Sequence, residues 1–144
     1  MNLPKPVHKK PRDVLYAEYA LWVWTIYVCF TTIYSSWKEL PELQSFIDTN
    51  MPGLFTLDPA EVMKQVVVGS ILLAALSVWV IYELGRAKRW ARTTMMWNFF
   101  LQLLMTMMPP QHILMDIPNI GLQIYALHLL YTPASKVWFS TKHP

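Results

Sequence analysis

The sequence predicts an all-α integral membrane protein, with four transmembrane helices paired as two antiparallel hairpins and both termini in the cytoplasm. Three observations carry this expectation. Hydrophobic residues make up 54% and aromatic residues 14% of the 144, more apolar surface than one soluble core of that size can hide. Uncharged runs of about bilayer length recur at Tyr19 to Trp37, Val66 to Tyr82 and Ile117 to Ser135, and no charged side chain stands between Arg92 and Asp116. If the chain crosses four times, Lys5, Lys9, Lys10, Arg12, Arg86, Lys88, Arg89, Arg92, Lys136 and Lys142 share one side, against Lys38 and Lys64 on the other. That asymmetry is the positive-inside signal of a cytoplasmic face.

Residues 1–13 set four cations among Pro4, Pro6 and Pro11, a composition that builds no core, and are expected as a basic cytoplasmic tail. No small-residue cleavage site follows the first apolar run, so it is expected to be retained as a span over about 15–37. Tyr16, Tyr19, Trp22 and Trp24 mark one end of that span and Tyr34 and Trp37 the other, as amphipathic rings do at head-group level. Residues 38–59, interrupted by Pro41, Pro52, Gly53 and Pro59, are expected as the long outer loop. Leu43, Phe46 and Ile47 share a helical face there, which fits a short surface helix behind Pro41 or a loop tucking in its own apolar residues. Asp58-Pro59-Ala60-Glu61 reads as an N-cap, a proline at the first helical position and an acid at the third, opening a span over about 60–84. Span three, about 90–108, is stopped by Pro109-Pro110. Span four, about 117–133, is bracketed by Pro118 and Pro133, with Asp116 at the positive end of its dipole. Residues 140–144 are expected as a second cytoplasmic tail, so that 14–139 form one transmembrane domain.

Several function classes are excluded on this basis. The net charge is +3, but the cations cluster beside apolar runs instead of along a soluble face, so nucleic acid is not an expected partner. A single cysteine, Cys29, forms no intramolecular disulfide and no two-cysteine relay. The sequence holds no nucleophile set beside a base, no His-Glu-x-x-His and no glycine-rich phosphate loop, so neither an enzyme nor a cofactor is expected. The two halves show no repeat beyond their hydropathy, which leaves inverted-repeat transporter logic without support.

Pro11-Arg12 before span one, Gly85-Arg86 with Trp90-Ala91-Arg92 between spans two and three, and Thr132-Pro133-Ala134-Ser135-Lys136-Val137-Trp138-Phe139 after span four form a recognisable combination. It resembles small four-span bacterial inner-membrane proteins of unassigned function. The resemblance implies a fold and a compartment, the bacterial cytoplasmic membrane, and no chemistry.

Span three carries Thr94, Asn98, Gln102 and Thr106 at successive i+4 positions, a polar ridge that must face protein or water. Matching depths in an antiparallel pair sets Thr94 against Thr132, Asn98 against His128, Gln102 against Gln123 and Thr106 against Asn119. The ridge reads either as a proton or solute path, with His128 as the titrating member, or as interhelical hydrogen bonding. The second is favoured because no acid joins it at mid-depth. On spans one and two, the stripes Thr25, Cys29, Thr32, Ser36 and Ser70, Ala74, Ser77 predict close packing, with Thr25 level with Ser77 and Thr32 with Ser70.

Glu18 and Glu83 are expected as interfacial carboxylates near the basic turn of Arg86, Lys88, Arg89 and Arg92, which sets topology or holds anionic lipid or an acidic partner segment. A reading of Glu18 as the proton-binding acid of a small exporter is weaker, since it lies too shallow. Met107, Met108, His112 and Met115 are soft donors of the kind copper(I) takes, but without repeated His-Met spacing they are more simply adaptable packing, and no metal is expected. The expectation for function is a non-enzymatic accessory, assembly or regulatory subunit, or an oligomer, with the lipid bilayer and a membrane protein or a second copy as partners. The alternative is a small proton-coupled or solute transporter built on the ridge.

Overall fold

The computed structural model describes residues 9–50, 58–106 and 113–141, apart from the side chains of 105, 106, 113–115 and 141. Among the described residues the chain is entirely helical: α1 Arg12–Asn50, α2 Pro59–Gly85, α3 Arg89–Thr106, α4 Ile113–Leu130 and α5 Pro133–Thr141. Two of these, α1 and α2, are long and apolar enough to cross a membrane; α3 and α4, at 18 residues each, are not among them. The most apolar stretches of α1 and α2 are only 39% and 22% buried, the reverse of a soluble core helix.

At 39 residues α1 is about 58 Å long at 1.5 Å per residue, and it does not stop where the first span was expected to end. It continues through Pro41 to Asn50, so residues 38–50 of the expected outer loop are helix. Proline at 41 forfeits one ladder hydrogen bond, and the good helix formers on both sides, Lys38-Glu39-Leu40 and Glu42-Leu43-Gln44, carry the turn past it. Near the end, Thr49 Oγ1 donates to Ser45 O at 2.8 Å and Asn50 Nδ2 to Phe46 O at 2.8 Å.

α2 opens as its sequence predicts: the Ala60 amide donates to Asp58 Oδ1 at 3.0 Å, so Asp58 caps it and Pro59 takes the first helical position. Its far end is a Schellman motif, with Lys88 N donating to Glu83 O at 3.1 Å and Ala87 N to Leu84 O at 3.0 Å. The left-handed position, φ 62°, belongs to Ala87 and not to a glycine. A methyl there costs about 1 kcal/mol of backbone strain, but it is fully buried.

The fourth expected span falls on α4 except at its very end. α4 begins four residues earlier than expected, at Ile113, with Pro118 inside it, and ends at Leu130. Pro133 does not end that helix; it starts the next one. Ser135 N donates to Thr132 Oγ1 at 3.4 Å and Lys136 N to Thr132 O at 2.9 Å, so Thr132 is the N-cap and Pro133 the first residue of α5. Residues 140 and 141, expected in a tail, belong to α5.

The chain forms two compact units, Met1–Thr25 with Ser77–Pro144, and Ile26–Leu76. The first has a packed interior. Val14, Ala17, Leu21 and Trp24 of α1, Ile81 and Leu84 of α2, Ala91 and Met95 of α3, Ala126 and Leu130 of α4, and Trp138 and Phe139 of α5 are all buried in it. The second unit takes the C-terminal part of α1 and the N-terminal part of α2. There Val28, Leu40 and Ser70 are buried, whereas Ile26, Phe30, Tyr34, Trp37, Ile71 and Leu72 are exposed.

Candidate functional site

Several polar residues of the first unit meet over adjacent turns of α3 and α4. Gln123 on α4, 4% exposed, hydrogen-bonds through Nε2 to Gln102 Oε1 on α3. One turn away along α4, Asn119 accepts at Oδ1 from Trp24 Nε1 of α1 at 2.5 Å. Asn98, one turn from Gln102 on α3, lines a cavity of about 10 Å³ with Leu21, Trp24, Met95, Gln123, Ala126, Leu127 and Leu130. Three helices are thus joined over two successive turns of α4 by neutral amides and an indole.

Of the four expected levels, the Gln102 and Gln123 pair forms. The Asn98 and His128 pair does not, because His128 is exposed while Asn98 faces the cavity beside Leu127. Angle explains the difference. His128 lies five residues from Gln123, and at about 100° per residue that turns it about 140° away from the face Gln123 occupies. Depth alone was insufficient. Thr94 is exposed, and Thr132 serves α5 instead of facing it. Asn119 bonds to Trp24 of α1, and the side chain of Thr106 lies outside the described residues. Trp24, which by position fits an interfacial ring belt, instead carries its N–H to a part-buried acceptor, as a tryptophan also can.

The basic turn is a set of internal clasps. Arg86 Nη1 pairs with Glu83 Oε1 at 3.1 Å, and its guanidinium stands 5.6 Å from the Tyr82 ring centroid. Arg89 donates from Nε to Phe139 O at 3.0 Å and from Nη2 to Ser140 O at 3.3 Å, satisfying carbonyls at the negative end of α5. Arg92 stands over Tyr131 at 4.8 Å and Phe139 at 5.1 Å. Its Nε and Nη1 are buried without a hydrogen-bond partner among the described residues, so the two rings are its main compensation. Trp79 and Trp90 pack at 5.0 Å between centroids on either side of the turn, whose remaining cation, Lys88, is half-buried.

Glu83 therefore pairs within the turn, whereas Glu18 stands beside it at Gly85 but pairs with a cation from outside the turn. Lys10 Nζ takes Glu18, at 2.7 and 2.9 Å from its two carboxylate oxygens. That pair lies against Gly85, where an added Cβ would stand 2.8 Å from Glu18 Oε1, so glycine gives the carboxylate room. Nearby, Thr132 Oγ1 donates to Asp13 Oδ2 at 2.7 Å and Ser135 Oγ to Leu129 O at 2.7 Å, tying the start of α1 to the α4 to α5 corner. The Thr132-Pro133 signal, the same as Asp58-Pro59, would have found that corner from sequence.

In the second unit Cys29 Sγ donates to Ser70 O at 3.6 Å. Cys29, not Thr32, is thus level with Ser70, and Thr32 is exposed. Met107, Met108 and His112 lie outside the described residues, as does the side chain of Met115.

No protein-family model, curated protein or solved structure matches this chain. The functional reading rests on the chain's own geometry.

Proposed function

We propose that the chain is a non-enzymatic integral protein of the bacterial cytoplasmic membrane, crossing four times with both termini inside, and acting as an accessory, assembly or regulatory subunit or as an oligomer. One observation carries the reading: Ile26, Phe30, Trp37, Ile71 and Leu72 present large apolar side chains outward from helices long enough to span. Burying such surface against lipid tails and other helices offsets what water contact would cost. α3 and α4, about 27 Å each at 1.5 Å per residue, approach the ~30 Å hydrocarbon thickness and supply the other two crossings.

The polar groups support a structural role over catalysis or transport. Gln102, Gln123, Asn119, Trp24, Asp13, Thr132 and Arg89 are engaged with one another or with helix ends. The ridge of the transporter alternative is interrupted by the outward positions of Thr94 and His128. Crosslinking mass spectrometry in native membranes tests the subunit reading. It predicts recurrent links from this chain to one partner protein or to a second copy, and recovery as a free monomer alone would reject it. Reconstituted liposomes test the alternative: the subunit reading predicts no proton or cation flux that responds to Gln102→Leu.

A further inference from the structure

The interior of the first unit contains an acceptor that its own chain does not satisfy. Gln123 is 4% exposed and its Nε2 is bonded to Gln102, but Oε1 is buried with no hydrogen-bond partner among the described residues. A buried amide oxygen left in that state is destabilising, and native interiors meet such groups with protein donors or ordered water. Gln123 also contributes to the wall of the cavity of about 10 Å³ that Asn98 lines from α3. That is roughly the room one water molecule occupies, and an amide on each of two walls gives it the minimum of two polar contacts.

We propose that Gln123 and Asn98 hold a single ordered water molecule between α3 and α4. The water donates one hydrogen to Gln123 Oε1 and meets the Asn98 carboxamide with its second hydrogen or its oxygen. The site's chemistry narrows the ligand. Any organic solute is too large for the cavity. A metal ion would need several oxygen ligands and compensating charge, whereas the wall offers two neutral amides among Leu21, Trp24, Met95, Ala126, Leu127 and Leu130. The nearby Trp24 N–H is committed to Asn119. The water is thus a bridge between two helices, set among mostly apolar side chains, and not a step in a continuous polar column.

The test is an experimental structure of the full chain in lipid or detergent, at a resolution that shows ordered solvent. The expected result is one solvent peak within hydrogen-bond distance of both Gln123 Oε1 and the Asn98 side chain. A direct bond between the two side chains, or a cavity without density, would overturn the proposal. Nuclear magnetic resonance in micelles gives a second reading on the wild-type chain: a water-to-protein cross-peak to the Gln123 side-chain amide is expected. Its loss in folded Asn98→Leu, where leucine fills the cavity, agrees with the proposal. Its persistence there, or its absence from the wild type, contradicts it.

Discussion

The two units of this chain solve the problem of apolar residues in opposite ways. The first, built from the beginning of α1, the end of α2 and all of α3 to α5, turns Trp24, Leu84, Leu130 and Phe139 inward and gathers its polar groups at defined joints. The second, whose described residues are the C-terminal part of α1 and the N-terminal part of α2, leaves Phe30, Tyr34, Ile71 and Leu72 exposed and joins its helices at Cys29 and Ser70. The difference is one of helix number. Five helical segments enclose an interior, while two have one shared face and leave the rest for the surroundings to cover. The first unit encloses its own interior, and the second leaves large apolar side chains exposed.

The largest expected effect is in the first unit's core. Phe139→Ala removes a fully buried ring that also faces Arg92, and should destabilise by about 3 to 5 kcal/mol. Phe30→Ala, an exposed ring that stacks on Tyr34 at 6.2 Å, should cost under about 1 kcal/mol. Unfolding in mixed micelles compares the two, and equal losses would erase the contrast between the units.

An intermediate effect is expected at the amide joint. Gln123→Leu removes the bond to Gln102 and should cost about 1 kcal/mol. His128→Leu, at an exposed position, should stay within about 0.5 kcal/mol. A histidine that proved as costly as the glutamine would restore the register in which Asn98 and His128 meet.

Next is the clasp on α5. Arg89→Gln loses the cation at the helix's negative end, worth up to about 1 kcal/mol. Amide hydrogen exchange should quicken over 133–141 and leave α2 unchanged. The smallest effect is expected at Ala87→Gly, where relief of about 1 kcal/mol of left-handed strain and the loss of a buried methyl worth about 0.8 kcal/mol nearly cancel. A shift in Tm of more than a few degrees would mean that one of those two opposing effects had been misjudged.

Much of the helical framework was legible because helix boundaries are written in local chemistry. Asp58-Pro59 gave the start of α2, and the uncharged runs gave the apolar cores of α1 and α2. The same kind of signal at Thr132-Pro133 went unread, because a proline after an apolar run looks like a stop when it is also the first residue of a new helix. Pro41 shows the opposite case: a proline usually breaks a helix, but strong helix formers on both sides carry α1 through it. At the candidate site, depth along an antiparallel pair correctly matched Gln102 with Gln123. It failed for Asn98 and His128 because a five-residue step rotates a side chain off the shared face. The partners of Trp24 and Glu18 required the positions of α4 and of the segment before α1, which no local pattern encodes.

If the proposed membrane setting holds, lipid or another protein, and not water, covers the outward apolar residues of the second unit. Labelling with a membrane-impermeant maleimide in native membranes, on a Cys29→Ser background, tests it most directly. Phe30→Cys and Ile71→Cys should remain unlabelled from either face and react once the membrane is dissolved in denaturant. Lys88→Cys, in the basic turn, should react from the cytoplasmic face. Rapid labelling of Phe30→Cys and Ile71→Cys in intact membranes would place that surface in water and contradict the account.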